Sequence, residues 1–157
     1  MDDTPQGLEL KIPPLAVLVI TALFMWLLAR ATPQLLVLYS ARVPIAIAFE
    51  LIGAAIVATG VIQFAKASTT VNPHTPESSA RIVTTGIYRV TRNPMYAGMF
   101  LILLGWAIYL ANVAAALLPF AFAAYISRFQ IQPEERILLA RFGNEYEDYL
   151  SAVRRWV

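Results

Sequence analysis

Polarity along this chain changes in long blocks rather than in short alternations. A polar, mildly acidic dozen residues (Asp2, Asp3, Glu9) gives way at Pro13-Pro14 to an apolar run that lasts to Ala29 and closes on Arg30. Proline at a first helical position costs little, because that N–H has no partner within the helix. A second run covers Val43 to about Ala65, broken only by Glu50 and Gln63. A polar stretch from Lys66 to about Asn93 follows, then apolar runs at 94–111 and 113–126 separated by Asn112. The pattern predicts helices over about 13–29, 43–65, 94–111 and 113–126, the last two as a tight hairpin. At 1.5 Å per residue the fourth rises only about 21 Å, so it is expected to be tilted, kinked at Pro119 or covered by protein. Beyond Arg128, Leu138, Phe142, Tyr146, Tyr149 and Val153 step at helical spacing, an amphipathic segment that Gly143 can divide.

Composition turns these runs into a membrane protein. Apolar residues make up 59% of the 157 and charged ones 14%, against about 45–50% and about 25% for soluble domains. The expected architecture is therefore all-α: a single domain, residues 1–157, forming a polytopic transmembrane bundle of about four spans. Its polar parts are the 66–93 loop and a C-terminal amphipathic segment at 128–157. Ala29-Arg30-Ala31 faintly matches a signal-peptidase site, but the acidic stretch before it lacks the basic region a signal needs, so the segment reads as a retained helix. Four spans put the N-terminal stretch, the 66–93 loop and the 128–157 segment on one side, with ten Lys and Arg against two (Arg30, Arg42) on the other. The positive-inside rule assigns the ten to the cytoplasm. A net charge of +2 gives no reason to expect a nucleic-acid partner.

Charge and residue type also narrow the chemistry. Without cysteine, and with His74 as the one histidine, thiol nucleophiles, Cys-ligated metals and multi-His sites are excluded. The seven glycines form neither G-x-G-x-x-G nor a P-loop. Polar residues instead gather at two places. Arg92-Asn93-Pro94-Met95-Tyr96 is a turn entering a span, with Asn93 at the N-cap, and by itself it reads as an interfacial anchor. Pro133-Glu134-Glu135 opens the amphipathic segment. Its carboxylates suit a helix N-terminus and equally suit a cation or a ligand's hydroxyls and amine. Glu50, inside the second span, and His74, in an Asn-Pro-His-Thr-Pro turn, are further candidates whose structural and chemical roles stay open. Gly53 and Gly60 share one face of the second helix and allow close approach, within the bundle or to a second copy.

In order, Val83-Thr84-Thr85-Gly86-Ile87-Tyr88, Arg92-Asn93-Pro94-Met95-Tyr96-Ala97-Gly98, an apolar hairpin, Glu134-Glu135, Phe142-Gly143-Asn144-Glu145-Tyr146, Tyr149 and Val153-Arg154-Arg155-Trp156 form a set. This set resembles the isoprenylcysteine carboxyl methyltransferase family and its phospholipid-methyltransferase relatives, over roughly residues 66–157. The resemblance implies S-adenosylmethionine bound at the cytosolic side of a helical bundle, and a lipophilic or lipidated methyl acceptor entering from the bilayer. It implies cofactor contacts from Ala80, Arg81, Ile82 and Val83, from Tyr88, from Asn93, Pro94, Met95 and Tyr96, and from Glu134, with Glu135 beside it. No metal ligand set is expected, given one histidine and no cysteine. The family often has histidine at the position of Asn93. Where its animal members carry a substrate-contacting arginine this chain has Gln130, which leaves Arg128 as the nearest cation to orient an acceptor anion. Two other readings predict different ligands: an NADPH-dependent, sterol-reductase-like enzyme, and a non-catalytic membrane scaffold with no cofactor.

Overall fold

A computed structural model describes residues 7, 9–33, 41–66 and 82–157. His74, Ala80 and Arg81 lie outside the described residues. The elements in chain order are α1 (Pro14–Ala31), α2 (Arg42–Lys66), a 3₁₀ turn (Gly86–Arg89), α3 (Pro94–Leu110), α4 (Val113–Ala116) and α5 (Leu118–Ile126). A π turn (Ser127–Ile131), α6 (Gln132–Phe142) and α7 (Asn144–Ala152) complete them. The described residues are helical with no strand, the all-α bundle the apolar blocks predict. Pro14–Ala31, Arg42–Lys66 and the continuous helical stretch Val113–Phe142 are long and apolar enough to cross a membrane, and Pro94–Leu110 is a shorter apolar helix.

The fourth span differs from its expected form. The helix does not stop near Ile126, where the apolar run ends, but continues through the π turn into α6. Ser127 and Arg128 are polar without being helix breakers, so polarity alone misplaces the end. Pro119, expected to kink the run, sits in the first turn of α5, where it costs little. The break between α4 and α5 falls two residues earlier, at Leu117. In the π turn the Gln132 N–H reaches back to the Ser127 carbonyl. Pro133 has no N–H to give, so the Phe129 carbonyl lacks its helical donor. Leu10 N–H supplies it at 2.9 Å.

The centre of the bundle is α3, which runs antiparallel to α2. Gly53, Gly60, Gly98 and Gly105 line that seam. A Cβ on Gly98 would stand 2.5 Å from the Gly53 carbonyl oxygen and 2.7 Å from the Val57 side chain. The backbones touch because no side chain is there to part them. The glycine face of α2 is thus covered by α3. Glu50 meets α3 at Gly105, where a Cβ would lie 2.9 Å from the Glu50 side chain. On the other side of α3, α1 contributes Val17, Met25 and Ala29 to a core with Tyr96, Leu103, Ala107, Phe122, Ile126 and Ile131. Trp106 donates its ring N–H to the Ala22 carbonyl at 3.1 Å. Asn112, nearly fully buried, does more than separate two spans. Its oxygen caps α4 at the Ala115 N–H (2.9 Å), and its amide donates to Thr32 Oγ1 (2.8 Å) and the Pro33 carbonyl (3.1 Å), closing the end of α1 onto the hairpin.

Candidate functional site

The polar clusters converge at the end of the bundle where α1 and α3 begin and α2 ends. The 82–93 segment is tied there from two sides. Gly86 takes φ +60°, and a Cβ on it would collide with the Gln63 amide at 2.1 Å. That closeness lets Gln63, one turn from the end of α2, accept the Ile87 N–H at 3.2 Å. From the other side the C-terminal segment lies across Thr91–Asn93. Arg92 N–H donates to the Arg154 carbonyl (3.0 Å), Thr91 Oγ1 to the Arg155 carbonyl (3.3 Å) and Asn93 Nδ2 to the same carbonyl (2.9 Å). Asn93 is therefore an N-cap by position, but its side chain makes no cap. The Asn93 N–H instead donates to Thr91 Oγ1 at 3.2 Å.

The two adjacent carboxylates have different partners. Glu135 is claimed by two arginines. Arg155 grips it with Nε and a terminal nitrogen at 3.2 and 2.6 Å, and Arg92 Nη2 lies 3.1 Å away. Arg92 also donates to the Leu150 carbonyl at 2.8 Å, which binds α7 to the group. Glu134 has no ion pair among the described residues. It accepts one hydrogen bond, from the Tyr96 hydroxyl at 2.7 Å. A helix turns about 100° per residue, so neighbouring positions face different walls, and the arginines stand against only one of them.

Aromatic rings complete the surroundings of Glu134. Tyr96 and Tyr88 are both buried, and Tyr88 packs edge-on against Phe64 of α2 at 5.1 Å. The Tyr88 hydroxyl is shielded from water and has no hydrogen-bond partner among the described residues. Burial raises its pKa well above the usual tyrosine value, helped by the negative fields of Tyr149 and Glu134. Tyr149 donates its hydroxyl to the Tyr88 carbonyl at 2.7 Å, and burial pushes its pKa up to about 12 against the opposing pull of Arg92. Tyr146 is likewise raised, first by burial and then by Glu135. All three phenols are neutral at physiological pH, and of the three Tyr149 is the one whose hydroxyl donates a bond among the described residues.

Of the candidate site residues, the structure brings Tyr88, Tyr96 and Glu134 together, with Asn93, Pro94 and Met95 on the same turn and Glu135 engaged beside them. Pro94 is buried, and Met95 lies against α2 at Gly60. Val83 is buried and Ile82 partly exposed at the start of the segment. Arg128 stands elsewhere: its guanidinium is 2.6 Å from Glu9, which Arg136 also holds at 2.5 Å. Arg136 is two positions from Glu134 on one helix, about 200° around it, so this arginine pair faces away from the tyrosine cluster. Sequence reasoning missed Gln63, Thr91 and Glu9. Gln63 and Glu9 were visible only as polar residues without an assigned task.

The cluster thus sets a half-buried carboxyl group, bonded to a tyrosine and with no ion-pair partner among the described residues, at the polar end of an apolar helical bundle. The profile of the phospholipid methyltransferase family matches residues 41–145, and the chain belongs to that family. It is 44% identical over 63 residues to an uncharacterized protein of Haemophilus influenzae, covering 40% of this chain and all of that one. It is 34% identical over 80 residues to protein-S-isoprenylcysteine O-methyltransferase B of Arabidopsis thaliana (49% of this chain, 39% of that one). It is 37% identical over 75 residues to protein-S-isoprenylcysteine O-methyltransferase of Schizosaccharomyces pombe (46% and 30%). The chain thus spans well under half the length of these two methyltransferases. No solved structure matches it.

Proposed function

We propose that this chain is a membrane methyltransferase that uses S-adenosylmethionine to methylate a lipophilic acceptor, with carboxyl O-methylation of an isoprenylcysteine-like substrate as the best-fitting reaction. The observation that carries the reading is Glu134: a carboxylate with a tyrosine donor, aromatic neighbours and no arginine among the described residues, next to a carboxylate that has two. The residues fit the ligand. A sulfonium cation is attracted by a carboxylate and by ring faces, and the unpartnered Tyr88 hydroxyl is a free donor for an amine-bearing or hydroxylated ligand. Tyr88, Tyr96 and Glu134 hold the cofactor in this assignment, with the Asn93–Met95 turn and Ile82–Val83 forming one edge. Ala80 and Arg81 extend that edge as the resemblance implies. Glu135 shapes the site by fixing Arg92 and Arg155 rather than by touching ligand.

When bound, the cofactor supplies an already activated methyl group: the acceptor's electron pair forms the new bond to the methyl carbon as the carbon–sulfur bond breaks, and a neutral thioether leaves. The chain's task is to hold the two reactants in line and exclude water. An ionised acceptor carboxylate needs no general base, and among the described residues the cluster offers none besides Glu134, which the cation would engage. Sidedness follows from the Lys and Arg distribution, which puts the site on the cytoplasmic face. An NADPH 2′-phosphate would favour a further basic cluster; of the candidates Arg89, Arg92, Arg154 and Arg155, two (Arg92 and Arg155) are spent on Glu135, which speaks against the reductase reading.

Calorimetric titration of detergent-purified protein with S-adenosylmethionine, and separately with NADPH, tests the proposal. Saturable S-adenosylmethionine binding is expected, weakened at least about tenfold in Glu134→Gln, a loss of about 1.4 kcal/mol. An unchanged dissociation constant in that variant removes Glu134 from the site, and NADPH binding alone moves the chain to the reductases.

A further inference from the structure

The strap formed by residues 9–12 takes no part in the proposed reaction. Leu10 N–H donates to the Phe129 carbonyl at 2.9 Å, and Gln130, wholly buried, donates its amide to the Ile12 carbonyl at 2.8 Å. Glu9 is 2% exposed beneath Arg128 and Arg136, which remain 53% and 52% exposed. Among the described residues one carboxylate faces two guanidiniums, an excess of positive charge presented outward at the polar end of a transmembrane bundle.

Beside this cluster α1 and α5 part around an apolar crevice of about 280 Å³, lined among others by Ile12, Val17, Phe24, Ala121, Phe122 and Tyr125. The crevice and the cluster are continuous. Ile12 belongs to the strap and to the wall. Tyr125 packs on Phe129 at 4.8 Å, and the Arg128 guanidinium lies 5.4 Å from that same Phe129 ring. The Tyr125 hydroxyl is shielded from water and has no partner among the described residues. An apolar slot ending in a phenol and two outward arginines is complementary to an amphiphile with an acyl chain and an anionic head.

We infer that the α1–α5 crevice and the Arg128–Arg136 pair bind an anionic phospholipid, its acyl chain in the crevice and its phosphate on the arginines. The site is separate from the Glu134 cluster, because Arg136 and Glu134 point to opposite sides of α6. Glu9 sets its strength: by neutralising one of two charges it holds the arginines in place and keeps the affinity moderate. Basic residues at a membrane surface strengthen anionic-lipid binding by about fivefold each, which sets the size of the expected effects.

Native mass spectrometry of the full chain released from micelles containing phosphatidylglycerol or phosphatidylcholine of the same chain length tests this. Phosphatidylglycerol should be retained preferentially. The preference should fall about fivefold in Arg136→Gln and further in Arg128→Gln/Arg136→Gln. Ala121→Trp, which fills the crevice, should weaken retention of both lipids. Equal retention of the two lipids by the wild type overturns the inference. So does an undiminished preference in the arginine variants, or displacement of the lipid by sn-glycerol 3-phosphate alone, which would make the site one for free phosphate. Should the double variant fail to fold, Arg136→Gln, at a half-exposed position, decides the same question.

Discussion

The seam between α2 and α3 and the polar cap over its end hold the same helices together by opposite means. In the seam, glycines bring backbone against backbone, with Gly98 over Gly53 and Gly105 over Ala46 and Glu50. Shape does the work there, and it tolerates no added atom. At the cap, hydrogen bonds and ion pairs join segments far apart in sequence: Gln63 to Ile87, Thr91 and Asn93 to Arg155, Arg92 and Arg155 to Glu135, and Tyr149 to Tyr88. The difference reflects the two solvents. Lipid offers no hydrophobic drive between helices, so close packing must hold them. Near the water interface, directional bonds can specify one arrangement, in which Glu134 has no ion pair among the described residues.

Enlarging the seam should produce the largest effect. Gly98→Leu places a side chain where a single Cβ already meets the Gly53 oxygen at 2.5 Å, and overpacking of this kind costs about 3 kcal/mol. Fluorescence-detected size exclusion should show loss of the monodisperse peak or a steep drop in the thermal midpoint. A normal midpoint would mean that α2 and α3 are not in backbone contact. Breaking the cap at its charged centre comes next. Glu135→Ala leaves Arg92, 10% exposed, and Arg155, 37% exposed, without their carboxylate. Removing one partner of a fully buried pair costs about 3–5 kcal/mol, and the exposure of Arg155 brings the expected loss to about 2 kcal/mol. Because Arg92 also carries the bond to Leu150, S-adenosylmethionine affinity should fall with stability. In Glu134→Gln affinity should fall while stability holds or rises. That contrast separates a structural carboxylate from a ligand carboxylate.

The smallest effect belongs to Tyr149. Tyr149→Phe removes its hydrogen bond to the Tyr88 carbonyl, worth about 1 kcal/mol. Its pH dependence has a definite sign. Folding raises this phenol from its usual 10 to about 12, so the folded state favours the protonated form. The stabilisation is complete below pH 10 and is lost as pH rises through 12. Tyr88 and Tyr146 shift in the same direction, so thermal midpoints should begin to fall above pH 10, less steeply in Tyr149→Phe. An identical alkaline profile in wild type and variant would remove Tyr149 from that loss.

Much of this architecture was legible in the chain itself. Apolar run lengths located α1, α2, α3 and the start of the fourth span, and Gly143 marked where α6 gives way to α7. The ordered motifs from Val83 to Trp156 pointed to the family that the profile match at 41–145 shows. Less legible was everything that depends on which way a polar side chain turns. Asn93 looked like a helix cap and instead binds the Arg155 carbonyl. Arg128, the nearest cation to Gln130, is paired with a glutamate 119 positions earlier. The continuation of the fourth span past Ile126 depends on a strap residue, Leu10, that satisfies the carbonyl Pro133 leaves open.

The sequence by itself determined that this chain lives in a membrane, roughly where its helices run, and that its polar chemistry gathers at Arg92–Tyr96 and Glu134–Glu135, because hydrophobic run length and residue type are properties of local sequence. Only the tertiary structure decided which of two neighbouring carboxylates the arginines take. Glu134 and Glu135 are chemically the same and one residue apart. They are separated by about 100° of helix rotation, and both arginines arrive on one side, from α3's entry turn and from the segment after α7.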